Sequence, residues 1–201
     1  MKKKIVLVAG LIMAFVMLSG CGNNNADLKK EEYIIGEIKD NKYESTWAGV
    51  SYSVPEDVSV LSREDTYLLM GLTMEEIEGK KEVDPAKLDT VYELYGSSAD
   101  GSMVIINTFK NIDTTSKIAE MKAEFDGKAN DLLKPSYTDE TTVTYGGIEF
   151  TRLDVTASAP DFVMYQTYLF KNVDEHLFCV SVAAFEENKV EELLGGISNL
   201  K

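Results

Sequence analysis

The chain has 201 residues, and its 20 Lys and Arg stand against 34 Asp and Glu and one His, a formal net charge of −14. That balance argues against a nucleic-acid partner and against electrostatic adhesion to anionic lipid, since both need Lys/Arg surfaces. A lone histidine excludes a multi-histidine metal centre, and no cofactor or metal motif is present.

Lys2, Lys3 and Lys4 open the chain, and Ile5 to Leu18 is an uncharged apolar run. A membrane-spanning helix needs about 20 such residues, so this shorter run has the proportions of a signal-peptide core. Leu18, Ser19, Gly20 and Cys21 then resemble the bacterial lipobox. That resemblance implies a diacylglyceryl group on the Cys21 thiol and cleavage just before it. A secreted protein with a chance cysteine, or an uncut signal anchor, are the other readings. Residues 1–20 are therefore expected to be a leader, and the mature chain to be held by lipid on the outer face of a bacterial membrane. Two acyl chains suffice for stable anchoring where one is marginal. Loss of the three leader lysines leaves 17 basic residues against 34 acidic, a net of −17.

Residues 21–41 are rich in Asn, Asp, Lys and Glu, the composition of a flexible tether. Tyr33, Ile34, Ile35 and Ile38 interrupt it, so its second half either packs on the domain or forms a short helix. With Cys21 acylated, Cys179 has no disulfide partner, and its strand-like setting suits a small buried side chain.

Residues 42–201 are one domain's worth of chain. "KYESTWAGVSYSVP" predicts a hairpin about Ala48-Gly49, with Val50, Tyr52 and Val54 on one face and Pro55 as the stop. Val58–Leu61 is expected to be a short continuation. Residues 62–88 have an interrupted helical pattern, with capping signals at Ser62/Asp65 and Thr73/Glu76 and a helix start at Asp84-Pro85. Thr90–Ser97 and a strand to Phe109 flank the turn Ala99-Asp100-Gly101, a strong hairpin signal.

Thr115–Leu133 is the clearest expected helix, with Ile118, Met121, Phe125, Ala129 and Leu132 as its apolar stripe and Lys117 off it. Strands are expected over Glu140–Tyr145, Ile148–Ala157, Phe162–Lys171 and His176–Ala184, the third being apolar on both faces and so central. A helix from Glu187 is expected to turn Val190, Leu193, Leu194 and Ile197 inward. Hairpin-linked strands with few helices give an α+β class, an antiparallel sheet flanked by helices.

This order of elements is similar to the PsbP-like fold, an α/β/α sandwich found in a photosystem extrinsic protein, a nuclear-import factor and small bacterial lipoproteins. The landmarks are "SVPEDVSV", the "VYELYGSSADGSMVIINTF" hairpin, the helix after "DTTS", "TVTYGGIEFTRLDV" and the final strand-helix pair, over roughly residues 43–200. Such proteins often carry a tryptophan shortly after the proline, where this chain has Val58. The resemblance implies a binding or assembly role and brings no general activity with it.

No catalytic constellation stands out. His176 and Cys179, three apart on a strand, point to opposite faces. Carboxylate pairs such as Glu75-Glu76 and Glu186-Glu187 suit solvated helix faces. Trp47 and the tyrosines lie at strand spacing and are expected in the core. The expected function is a non-enzymatic binding or assembly module with an unidentified protein partner. An envelope-acting hydrolase or transferase, or a small-ligand-binding lipoprotein of a transporter, are the alternatives. The candidate partner surface is "TYLLMGLTM": Tyr67, Leu68, Leu69, Met70, Leu72 and Met74, too many for one short helix to bury. The other reading is that this segment caps one end of the sheet as core.

Overall fold

The computed structural model describes residues 33–79, 84, 88–129 and 134–200. Leu18, Ser19, Gly20 and Cys21 lie outside the described residues, as do Pro85 and Leu132. Twelve strands are described, and every strand pair is antiparallel. With four helices beside them among the described residues, the fold is α+β.

The strands divide between two sheets. The smaller holds β1 (Glu37–Lys39), β2 (Lys42–Ser45), β3 (Val50–Ser53) and β12 (Ile197–Asn199), in that spatial order. The larger runs β4 (Val58–Val60), β5 (Thr90–Ser98), β6 (Met103–Lys110), β11 (His176–Ala184), β10 (Phe162–Val173) and β9 (Ile148–Ala159). Beyond them β7 (Lys134–Tyr137) and β8 (Thr141–Tyr145) pair with different stretches of β9. The helices are α1 (Arg63–Leu69), α2 (Met74–Ile77), α3 (Thr114–Lys128) and α4 (Glu187–Leu194).

Period-two alternation sorts the large sheet's side chains onto two cores. On one face Val104, Ile106, Phe178, Val180 and Val182 pack with Tyr43, Val50 and Tyr52 of the small sheet and with Val190, Leu193 and Leu194 of α4. On the other, Ile105, Phe109, Tyr168, Phe170 and Cys179 pack under Ile118, Met121 and Phe125 of α3. Strand β11 is buried over all nine residues, as a central strand covered on both faces must be.

Five expectations are corrected. The domain begins before residue 42, because the second half of the tether segment packs on it, the first of its two readings: Tyr33 is buried, and β1 pairs with β2 across the Asp40-Asn41 turn. Tyr33, Ile35 and Ile38, which pack into the core, outweighed the polar composition. Val58–Val60 does not continue the first hairpin but crosses to the large sheet, against β5. Helix α3 stops at Lys128, because Ala129 turns extended (ψ 136°) ahead of β7. Pro135 then sits in an edge strand, where a missing N–H is tolerated. Ile197 is buried from a strand, not from α4, since β12 pairs with β3. Lys117, placed off the stripe, is buried.

Candidate functional site

One corner of the molecule sets a buried carboxylate near exposed apolar side chains. It forms where the incoming segment Tyr33–Lys39 meets β5 and α1. The register of β5 against β6 shifts between Tyr92 and Leu94, so Glu93 is the extra residue of a β-bulge. Bulges re-aim side chains. Here the bulge turns the Glu93 carboxyl to the small sheet, where it is fully buried. It accepts hydrogen bonds from the Tyr33 hydroxyl at 3.0 Å, the Tyr43 hydroxyl at 2.7 Å and the Gly36 N–H at 2.8 Å, and from the Thr108 hydroxyl. Burial, reinforced by the Glu93 charge, pushes the Tyr33 and Tyr43 hydroxyls well above the usual phenol range, so both stay donors.

Arg63, the first residue of α1, closes the corner. Its guanidinium donates to the Gly36 carbonyl at 2.7 Å and to the Glu93 carbonyl at 3.0 Å. The incoming segment is thus held at Gly36 from both sides, N–H by Glu93 and C=O by Arg63. A Cβ added at Gly36 would lie 2.4 Å from the Tyr43 ring, so only glycine fits between them.

Helices α1 and α2 exist through their caps. The Ser62 hydroxyl accepts from the Asp65 N–H, and Thr73 with Glu76 forms a reciprocal capping box. Neither helix buries a full face. Thr66 is the buried residue of α1, and α2 has none. Leu68 and Leu69 are 44% and 45% exposed and Met74 52%, with Ile34 of the incoming segment at 61%. Tyr67, Met70 and Leu72 are half-buried, and Met70 also packs against the core with its sulfur 3.2 Å from the Tyr92 N–H. Beside this ledge an open groove of about 420 Å³ is lined by Ile35, Gly36, Glu37, Ile38, Lys39, Arg63 and Tyr67. Elsewhere among the described residues, Val163 is the large apolar side chain left exposed.

A second concavity, about 190 Å³, lies between α4 and the β9–β10 edge. Small-molecule sites run to roughly 300–1,000 Å³, so it is small for one. Its cation is already paired: Arg152 donates from Nε to both Asp154 oxygens at 2.9 and 3.0 Å, from Nη1 to the Tyr145 hydroxyl, and lies 2.7 Å from Glu191. Burial opposes the charge, but the bonds to Asp154 and Glu191 hold the guanidinium above its usual range. Burial and the bond to Glu191 push Tyr145 up to about 12. This cluster clamps β8, β9 and α4 together.

His176 and Cys179 fall on opposite faces of the large sheet. The imidazole stacks on Tyr33 at 5.0 Å and meets the Trp47 ring edgewise at 5.4 Å, filling core space. Cys179 is buried under α3, and burial pushes its thiol well up, out of the nucleophilic range. Near it Lys117 is fully buried, its Nζ 4.1 Å from the Phe109 ring centre and 3.5 Å from Glu120. Burial lowers its pKa. The sequence reading missed Glu93, Arg63 and Lys117. A lone carboxylate between apolar neighbours in a strand was the signal available for the first; a bulge has none.

No family model matches the chain, and no curated protein matches it. Among solved structures it is similar to PsbP (CyanoP) from Synechocystis sp. PCC 6803, with 11% identity, TM-score 0.48, and coverage of 90% of this chain and 98% of that one. It is also similar to LpqN of Mycobacterium tuberculosis, a protein involved in cell envelope biogenesis, with 12% identity, TM-score 0.40, and coverage of 74% and 82%.

Proposed function

We propose that the protein is a lipid-anchored, extracytoplasmic, non-enzymatic binding module that docks a protein partner on the ledge formed by Ile34, Leu68, Leu69 and Met74. The observation that carries this reading is the gathering of exposed apolar side chains at one corner, on capped helices too short to bury them. Such gatherings on soluble domains mark interaction sites. The groove bordered by Tyr67 extends the same surface. Support for a non-enzymatic role comes from how the reactive side chains are used: His176 is packing between rings, and Cys179 is a buried thiol under a helix. The lipid anchor rests on Leu18-Ser19-Gly20-Cys21 after a short apolar run.

Two measurements test it. A photo-crosslinking residue at position 69, in the native membrane, should give a discrete protein adduct that the same residue at position 163 does not. Equal labelling at both positions, or none at 69, would refute the docking surface. Intact-mass analysis of the mature chain should show a diacylglyceryl adduct on an N-terminal Cys21; a mature chain with any other start would refute the anchor.

A further inference from the structure

The partner's chemistry can be read from the same corner, on the premise that this corner is the docking surface. Residues 62–79, which carry α1 and α2, hold Glu64, Asp65, Glu75, Glu76 and Glu78 against Arg63 alone. Arg63 is turned to backbone carbonyls at Gly36 and Glu93. The ledge is therefore apolar with an acidic rim. A second copy would bring two acidic rims together, and an anionic bilayer would meet the same repulsion. An apolar segment flanked by Lys or Arg meets neither.

The backbone adds a second feature. Among the described residues β1 has one neighbour, β2, so its other side is a sheet edge. Asp40 and Asn41, at φ 50° and 56°, make a two-residue turn of the hairpin-closing kind, with Lys39 opposite Lys42. The pair flanking such a turn is the hydrogen-bonded one. The next pair, Ile38 with Tyr43, is then non-bonded, and Ile38 directs its N–H and C=O away from β2. Two residues back the equivalent outward groups belong to Gly36, and these are taken by Glu93 and Arg63. Ile38 thus presents a donor and an acceptor at the edge beside the groove that Ile35, Glu37, Ile38, Lys39, Arg63 and Tyr67 line, where Glu37 offsets Lys39 and the Arg63 guanidinium is bonded to carbonyls.

We infer that the groove takes an extended segment of a partner protein with alternating apolar and basic residues. That segment bonds to the outward N–H and C=O of Ile38, sets its apolar side chains against Ile35 and Tyr67, and turns its cations toward Glu37 in the groove and Glu64 at its rim. This is addition of a strand to a sheet edge, in which main-chain bonds give affinity and alternate side chains give selectivity.

Four labelled seven-residue peptides, titrated against the full-length chain in detergent micelles by fluorescence anisotropy, test the inference. One alternates Lys with Leu, Val and Ile; the second replaces each Lys by Glu; the third and fourth are the first with N-methyl groups on one or the other alternating set of residues. The Lys peptide should bind, the Glu peptide should not, and N-methylation of the set facing β1 should weaken binding about tenfold or more, the worth of roughly one hydrogen bond. N-methylation of the other set should leave binding unchanged. Ile38→Pro removes the outward N–H while sparing the bonds to β2, and should mimic the N-methyl effect, with Ile38→Val binding as the parent does. Equal binding of the Lys and Glu peptides, or indifference to both N-methyl sets, overturns the inference. So does a dimer in sedimentation that Leu68→Asp dissolves, or retention on phosphatidylglycerol vesicles that Leu68→Asp abolishes. A discrete protein adduct at position 69 without peptide binding overturns the inference alone and leaves the docking surface standing. Absence of both overturns the two together.

Discussion

Strand β11 and the corner at Tyr33–Lys39 sort polar and apolar groups in opposite ways. From His176 to Ala184 every residue of β11 is buried, and apolar side chains fill both faces. At the corner a carboxyl is buried while leucines face outward. The strand is central because two layers of apolar groups cover it. The corner packs Tyr33, Tyr43, Ile35 and Ile38 against the core and adds directional bonds, from Tyr33, Tyr43, Gly36 and Thr108 to Glu93 and from Arg63 to two carbonyls. Directional bonds can fix an element that has little apolar surface to bury, which leaves the apolar side chains of α1 free for another use. On the proposed docking role, stability and docking fall to different atoms of one corner.

The largest expected effects fall on the buried members of each region. Phe178→Ala should cost about 3–5 kcal/mol, the usual range for an emptied aromatic site in a core. Glu93→Ala should cost a similar amount, since stranded buried donors each carry about 1–3 kcal/mol and do not add in full. What separates the two is location. In Glu93→Ala, amide exchange in residues 33–39 should accelerate beyond the global change, and in Phe178→Ala exchange should rise throughout the sheet. Uniform acceleration in both variants would show that the corner is not a separately held unit.

Lys117→Met gives a smaller effect, and it concerns the face under α3. Exchanging a buried ion for an apolar side chain of similar length is often neutral or stabilising, so a change within about 1 kcal/mol at neutral pH is expected. The pH dependence is the sharper readout. Burial lowers the Lys117 pKa in the folded chain, so the unfolded chain binds more protons in the window below the ordinary lysine value. Stability contributed by this residue therefore rises with pH through that window. The buried tyrosines, with raised pKa values, act the other way and lose stability above the ordinary phenol value. Denaturation midpoints between pH 8 and 11 should fall more steeply in Lys117→Met than in the parent. Parallel curves would mean that Lys117 meets solvent through the helix.

Local signals carried most elements. The Asp100-Gly101 turn, the caps at Ser62 and Thr73 and the two-faced apolar run Phe162–Lys171 each act within a few residues, and the structure has all of them. Non-local facts were not legible. The split into two sheets depends on β3 closing against β12, nearly the whole chain away. Lys117 is buried because the Phe109 ring and Glu120 lie within reach of its amine, and helix periodicity cannot show the strand beneath. Half of the candidate site was legible: "TYLLMGLTM" carries more apolar side chains than a short helix can turn inward. The other half was hidden, because a β-bulge has no sequence signature and Glu93 finds Tyr33, Gly36 and Tyr43 50 to 60 residues upstream.

The smallest expected change in stability belongs to the ledge itself. Leu68 and Thr66 lie two positions apart on α1, about 200° around the helix, and they face different surroundings. Thr66 is buried, and its hydroxyl donates to the Arg63 carbonyl at 2.8 Å. Thr66→Asp forces a charge into that space and should cost about 2–4 kcal/mol. Leu68→Asp places the same carboxylate on a side chain already nearly half exposed, where a surface substitution costs about 0.5 kcal/mol or less. Its stability should therefore match the parent in urea, and the adduct formed from position 69 should still disappear. The acidic rim adds a control, since Leu68→Lys should be equally harmless to the fold but should repel a basic partner as well as lose the apolar contact. Should Leu68→Asp unfold the chain as readily as Thr66→Asp does, the ledge is core after all. The corner would then follow the same rule as β11.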